Sequence, residues 1–120
     1  MNGPYPFTRQ QRLLMAQDYT YVFEQAIKST GPYLTILARL NGRDFARLGL
    51  AISKKRLKRS VDRNRLKRLT RESFRHHHSL LAGLDCVVLA KNGVAQVNNH
   101  TLLLSLARHW QQLSRRCKKS

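Results

Sequence analysis

Residues 53–75 read Ser53-Lys54-Lys55-Arg56-Leu57-Lys58-Arg59-Ser60-Val61-Asp62-Arg63-Asn64-Arg65-Leu66-Lys67-Arg68-Leu69-Thr70-Arg71-Glu72-Ser73-Phe74-Arg75. Ser60 reads as an N-cap, and Asp62 falls in the first turn, where the positive end of a helix favours an acid. A helix is therefore predicted from residue 61 to the His76-His77-His78 run, after a basic loop over 54–59. At roughly 100° per residue, Leu66, Leu69, Ser73 and Leu80 share one narrow side, which is assigned to the core. Arg63, Asn64, Lys67, Arg68, Arg71 and Arg75 fall on the opposite arc, with Arg65 and Glu72 at its edge. Phe74 lies at the border and is read as closing the edge of the core. Residues 54–75 hold 11 basic side chains against Asp62 and Glu72, leaving +9 in this window.

The chain has 120 residues, 23 Lys or Arg and 6 Asp or Glu, for a net charge of +17. That length suits one domain, 1–120, with flexible ends expected at 1–8 and 115–120. The charge points to a polyanionic partner. Like charges at Arg63, Lys67, Arg71 and Arg75 repel along one helical row. A solvated face normally interleaves acids, so keeping the repulsion makes sense if a polyanion relieves it. Arginine forks match phosphate, and Asn64 can donate and accept toward a base or sugar. A membrane-surface helix needs a broad apolar face. Readers of duplex DNA carry helix-turn-helix, zinc-finger or zipper signatures, none of which is visible. Structured RNA is the favoured partner, with neither membrane nor DNA. No apolar run approaches a membrane span, and the first residues do not read as a secretory signal. Two cysteines, Cys86 and Cys117, make no disulfide framework. A cytoplasmic protein with reduced thiols is expected.

Outward from the basic helix, residues 16–28 suit a helix with Tyr19, Val22, Phe23 and Ala26 on one side, ended by Ser29-Thr30-Gly31-Pro32. Residues 33–40 and 47–53 read as strands flanking Asn41-Gly42, and together as an antiparallel hairpin. Gly49 and Ala51 leave room on one face of the second strand for close packing or binding. Residues 85–91 form a continuous apolar strand, as for one covered on both faces. Asn98 or Asn99 caps a last helix to about residue 114, with Leu103, Leu106, Ala107 and Trp110 as its stripe. A frayed basic tail follows. The order is that of a sheet with helices packed on it.

Tyr19, Tyr21 and Phe23 cluster on the first helix. Core packing is the simplest reading for Phe23; the alternative is that one or two of the three stack on unpaired bases in a groove. The six acids are scattered, without the paired spacing that metal-dependent phosphodiester cleavage requires. Adjacent His76, His77 and His78 point in different directions on a helix. The residues alone describe an RNA binder without its own catalytic centre and without a metal site. A ribosomal or chaperone-like binder and a stand-alone histidine ribonuclease stay open.

Arg63-Asn64-Arg65-Leu66-Lys67-Arg68-Leu69-Thr70-Arg71-Glu72-Ser73-Phe74-Arg75 after Ser53-Lys54-Lys55 closely resembles the signature of the bacterial ribonuclease P protein subunit, R-N-R-x-K-R-x-x-R-E-x-F-R after S-K-K. The resemblance extends to Arg12-Leu13-Leu14 with Tyr19, Val22 and Phe23, to Arg47-Leu48-Gly49-Leu50, and to Asp85-Cys86-Val87-Val88-Leu89-Ala90-Lys91. Arg56-Leu57-Lys58-Arg59 fills a loop that often holds a glycine. Cys86 and Leu37 stand where members often carry aromatics. The resemblance implies an α+β sandwich: a sheet of about four strands, three helices, and a left-handed β-α-β crossover bearing the basic helix. It implies a subunit of an endoribonuclease that removes the 5′ leader of precursor tRNA. In that enzyme the catalytic RNA and the substrate hold Mg2+, and the protein improves substrate affinity, metal affinity and substrate range. Carried over by position, Lys54, Lys55, Arg59, Arg63, Asn64, Arg65, Lys67, Arg68 and Arg71 bind RNA, while Arg12, Tyr19 and Phe23 bind the leader.

Overall fold

The computed structural model describes residues 7–118; the first prolines and the last two residues lie outside that range. Seven main elements follow in chain order: α1 (Ala16–Glu24), β1 (Ile27–Thr30), β2 (Leu34–Leu40), β3 (Arg47–Ala51), α2 (Ser60–His76), β4 (Leu84–Ala90) and α3 (Asn99–Cys117). The strands make one sheet in the order β1-β2-β4-β3. Pairing is antiparallel for β1 with β2 and for β2 with β4, and parallel for β3 with β4. The fold is α+β with four strands and three helices, and α2 is the crossover of a β3-α2-β4 unit.

The expected hairpin of the two long strands does not form, because β4 lies between them. Leu84–Val88 and Ala90 are all buried, so β4 needs cover on both faces and a neighbour on each edge. The turn after β2 instead arches over the start of β4. There the Asn41 N–H donates to the Gly83 carbonyl at 2.9 Å, and Gly42 takes φ +72. The first helix is shorter than its periodicity suggests. It stops at Glu24, and β1 occupies residues assigned to the helix and its breaker. Gly31-Pro32 turns β1 into β2, with Gly31 N–H donating to Leu34 O at 2.9 Å.

One sheet face packs Leu34, Ile36, Leu48, Cys86 and Val88 against Leu66, Leu69 and Phe74 of α2 and Leu102, Leu106, Trp110 and Leu113 of α3. Phe74 is fully buried, edge-on to Trp110 at 5.9 Å, and Trp110 Nε1 donates to Ser73 Oγ at 2.9 Å. The buried stripe of α3 is displaced from the expected one: Leu102, His109 and Leu113 join Leu106 and Trp110, while Leu103 is exposed. Asn98 is the cap, its Oδ1 accepting from Thr101 N–H at 2.8 Å. At the other end α3 continues through Cys117, and Arg116 reaches the Lys28 carbonyl, so residues 115–117 extend the helix rather than fray. The opposite sheet face buries Leu37 and Val87 beneath Leu13 and Val22. Leu80 is exposed, since α2 ends at His76 and Leu81 fills the core instead.

Candidate nucleic-acid interface

The helix α2 begins one residue earlier than expected, with Arg59 at the cap position and Ser60 inside. Its buried row is Leu66, Leu69, Thr70, Ser73 and Phe74, and its outer row is cationic. The cations divide by what they touch. The side chains of Lys67, Arg68 and Arg71 make no hydrogen bond or ion pair with the described residues, and neither do those of Asn64, Lys54 and Lys55. Arg59 is largely exposed, 4.0 Å from Asp62. Arg63 turns back, donating from Nη1 to the carbonyls of Leu57 and Lys58 at 2.8 Å each. It thereby ties down the basic loop, whose Leu57 is buried. Arg65 donates to Asn99 Oδ1 at 2.7 Å and to the Val97 carbonyl, bracing α2 against the start of α3. Both thus have structural partners that helical spacing does not reveal. Those partners are neutral acceptors, so each guanidinium keeps its full charge on this face.

Glu72 belongs to Arg75 and His76, and bonding to His76 first and Arg75 second holds its carboxyl below the usual range. His77 and His78 bond through Nδ1 to the Ser73 and Arg75 carbonyls at 2.7 and 2.9 Å, which satisfies the helix end. No group of three or more His, Cys, Asp or Glu is placed to hold a metal ion among the described residues. Asp85 is fully buried and accepts from Arg47 Nε and Nη2 at 2.8 and 2.6 Å and from Asn41 Nδ2 at 2.9 Å. Bonding to Asp85 raises the pKa of the Arg47 guanidinium, and the two form a bidentate pair across β3 and β4.

A cleft of about 250 Å³ opens where the N-terminal segment, α1, α2 and the outer edge of β3 meet; Phe7, Arg12, Tyr19, Leu48, Lys67 and Arg71 are among its walls. The edge of β3 explains its shape. Leu13 N–H donates to Leu48 O at 2.9 Å, and Leu50 N–H donates to the Tyr19 hydroxyl at 3.2 Å. The Tyr19 ring lies so close to Gly49 that a Cβ there would meet it at 2.7 Å. The room that Gly49 leaves is therefore filled by Tyr19. Arg12 stands over the Phe7 ring at 5.1 Å. Phe7 belongs to the cleft although no sequence pattern marks it.

Phe23 is neither core nor cleft wall: it is 48% exposed on the outer side of α1, because Val22 takes the inward position. Tyr21 is also outside, its hydroxyl donating to Leu40 O at 2.8 Å beneath the stacked Arg39 guanidinium at 3.7 Å. Leu37 and Cys86 are buried on opposite faces of the sheet and offer nothing to a groove. Burial pushes the Cys86 thiol far above its ordinary range. No helix among the described residues is long and apolar enough to cross a membrane.

The sequence matches the Ribonuclease P family over residues 7–114. It is 48% identical to a ribonuclease P protein component of Vibrio cholerae over 111 residues, covering 92% of this chain and 94% of that one. With the counterpart of Pseudoalteromonas atlantica it shares 43% over 118 residues, 98% of each chain. Among solved structures, a mutant RNase P protein of Staphylococcus aureus superposes with a TM-score of 0.81 at 25% identity, over 87% of this chain and 88% of that one. The Thermotoga maritima RNase P protein gives 0.75 at 28% identity, over 84% and 96%.

Proposed function

The chain belongs to the ribonuclease P protein family, and from that premise we propose that it binds the catalytic RNA of the holoenzyme and the 5′ leader of precursor tRNA. Lys54, Lys55, Arg59, Lys67, Arg68 and Arg71, with Asn64, form the phosphate-binding ridge. Arg63 anchors the basic loop, Arg65 braces the helix against the start of α3, and both add charge to the ridge. Arg12 and Tyr19 hold the leader in the cleft, where Tyr19 and Phe7 offer ring faces to unpaired bases. Phe23, 48% exposed on the same helix as Tyr19, meets the leader outside the walls of that cleft. The observation that carries this reading is that Lys67 and Arg71 belong to both features: they project from the basic helix and wall the cleft. A strand leaving the ridge thus enters the cleft without losing contact with positive charge.

The carboxylates are scattered, and among the described residues no three His, Cys, Asp or Glu side chains are grouped to hold a magnesium ion. In this reading Mg2+ is held by the RNA subunit and substrate and supplies the hydrolytic chemistry there. The protein orients RNA and neutralises phosphate, and the reaction takes place in the cytoplasm. The test is reconstitution: precursor tRNA and magnesium with the chain, with ribonuclease P RNA, and with both. Leader removal at low magnesium only when both are present is expected. Cleavage by the chain alone, or no stimulation of the RNA, would overturn the proposal.

A further inference from the structure

We propose that the leader track does not end at Arg12 but continues into a second cleft, of about 470 Å³, that takes unpaired leader nucleotides farther from the cleavage site. The inference rests on the leader-binding reading above. The two clefts share Arg12 and Leu14 as a common wall. Leu14 is 51% exposed, and beyond it Met15 is 59% exposed where the chain enters α1. Facing them is Phe45, with the Arg43 guanidinium 5.8 Å from its ring centre. Arg9 completes the rim. Flat apolar and aromatic surface interleaved with cations is what an extended single strand of RNA requires, since bases stack while the backbone follows the charge.

The acids here do not cancel that charge. Asp18 accepts from the Met15 N–H at 3.2 Å and faces Arg47 at 3.8 Å, so its carboxylate is already engaged. Arg9, Arg12 and Arg43 have no carboxylate partner among the described residues. The Phe45 platform is also fixed in advance. Asn41 accepts from Arg43 N–H at 2.8 Å and donates to Phe45 O at 3.1 Å, and the same Asn41 amide donates to buried Asp85. The turn that carries Arg43 and Phe45 is thus anchored to the interior, which lowers the ordering cost of binding. No pattern in the sequence marks the surface, because its residues come from two stretches far apart in the chain, 9–18 and 43–47.

The experiment uses reconstituted holoenzyme and precursor tRNAs whose leaders lengthen stepwise from a single nucleotide. The unsubstituted enzyme should gain affinity in two stages. The double variant Arg43→Ala/Phe45→Ala should lose only the second, binding long-leader substrates about tenfold more weakly and the shortest leaders unchanged. Arg43→Ala alone, at an exposed side chain, tests the same point if the double variant folds poorly, and should lose a part of that gain. Equal loss at every leader length would assign the surface to the RNA subunit or to the fold. No loss at any length would leave it without RNA. Either result overturns the inference while the leader-binding reading stands. If the unsubstituted enzyme gains nothing from a longer leader, both fail together.

Discussion

Two groups of arginines in this chain meet opposite fates. Arg47 is drawn into a bidentate pair with Asp85, which is fully buried and further bonded by Asn41. Arg68 and Arg71, with Lys67, stand on α2 with no partner among the described residues. The first group satisfies every charge inside the molecule and fixes β3 beside β4 and the turn before them. The second leaves charge unsatisfied along one row, at some cost to the helix. The difference teaches how to separate structural from functional charge here: a structural cation has found its acceptor before any partner arrives. Arg63 and Arg65 are intermediate, since their acceptors are neutral.

The contrast is broken most forcefully at Asp85. Asp85→Ala leaves a nearly buried guanidinium with only Asp18 nearby, at 3.8 Å, and should cost about 3–5 kcal/mol in denaturant unfolding. A loss under about 1 kcal/mol would show that water replaces the carboxylate with ease. Gly49→Ala tests the cleft floor. Its Cβ drives into the Tyr19 ring, so a loss of about 1–3 kcal/mol is expected, with weaker leader binding from the displaced ring. Unchanged stability together with unchanged leader binding would mean that Tyr19 is not held in place.

Acid titration sharpens the contrast at a third place, the contact of β1 with α3. His109 bonds through Nδ1 to Ser29 Oγ at 2.7 Å, Ser29 donates to Gln112 at 2.8 Å, and the ring packs on Gly31. Burial, then the charge of Lys91, pushes the His109 pKa below its ordinary 6.5. The unfolded chain therefore takes up the proton more readily. The stability from the neutral ring is complete above about pH 6.5 and is lost as pH falls through the folded pKa. The melting temperature should decline over that range, and His109→Gln should flatten the decline. The smallest effect belongs to the ridge: Lys67→Ala, Arg68→Ala and Arg71→Ala should each leave folding stability within about 0.5 kcal/mol, measured by the same unfolding curves. Larger losses would make these residues structural.

The ridge and the apolar identity of β4 were legible in the sequence because both depend on local periodicity. The 3.6-residue period puts Leu66, Leu69 and Ser73 inside and Lys67, Arg68 and Arg71 outside, and burial agrees. Strand order was not legible from pattern, since adjacent strands in sequence looked like a hairpin until β4 claimed the central place. The strand β1 was hidden because Ile27 and Lys28 extend the helical period, while its identity comes from pairing with Ala38 and Leu37 across the sheet. The cleft was half legible. Arg12 and Tyr19 came from the family resemblance, whereas Phe7 and the Tyr19–Gly49 contact depend on tertiary placement. The core reading of Phe23 fails because Val22, one residue away, takes the inward position.

The central claim is that the exposed row of α2 is kept unpaired so that RNA phosphates complete it. The most direct measurement is the salt dependence of binding to ribonuclease P RNA, for the unsubstituted chain and for the Lys67→Ala/Arg68→Ala/Arg71→Ala variant. With about six phosphates neutralised, log affinity against log salt should fall with a slope of roughly −4 to −5, and the variant should lose about one unit of slope per cation removed. A nearly flat dependence for the unsubstituted chain, or the same slope for both proteins, would contradict it.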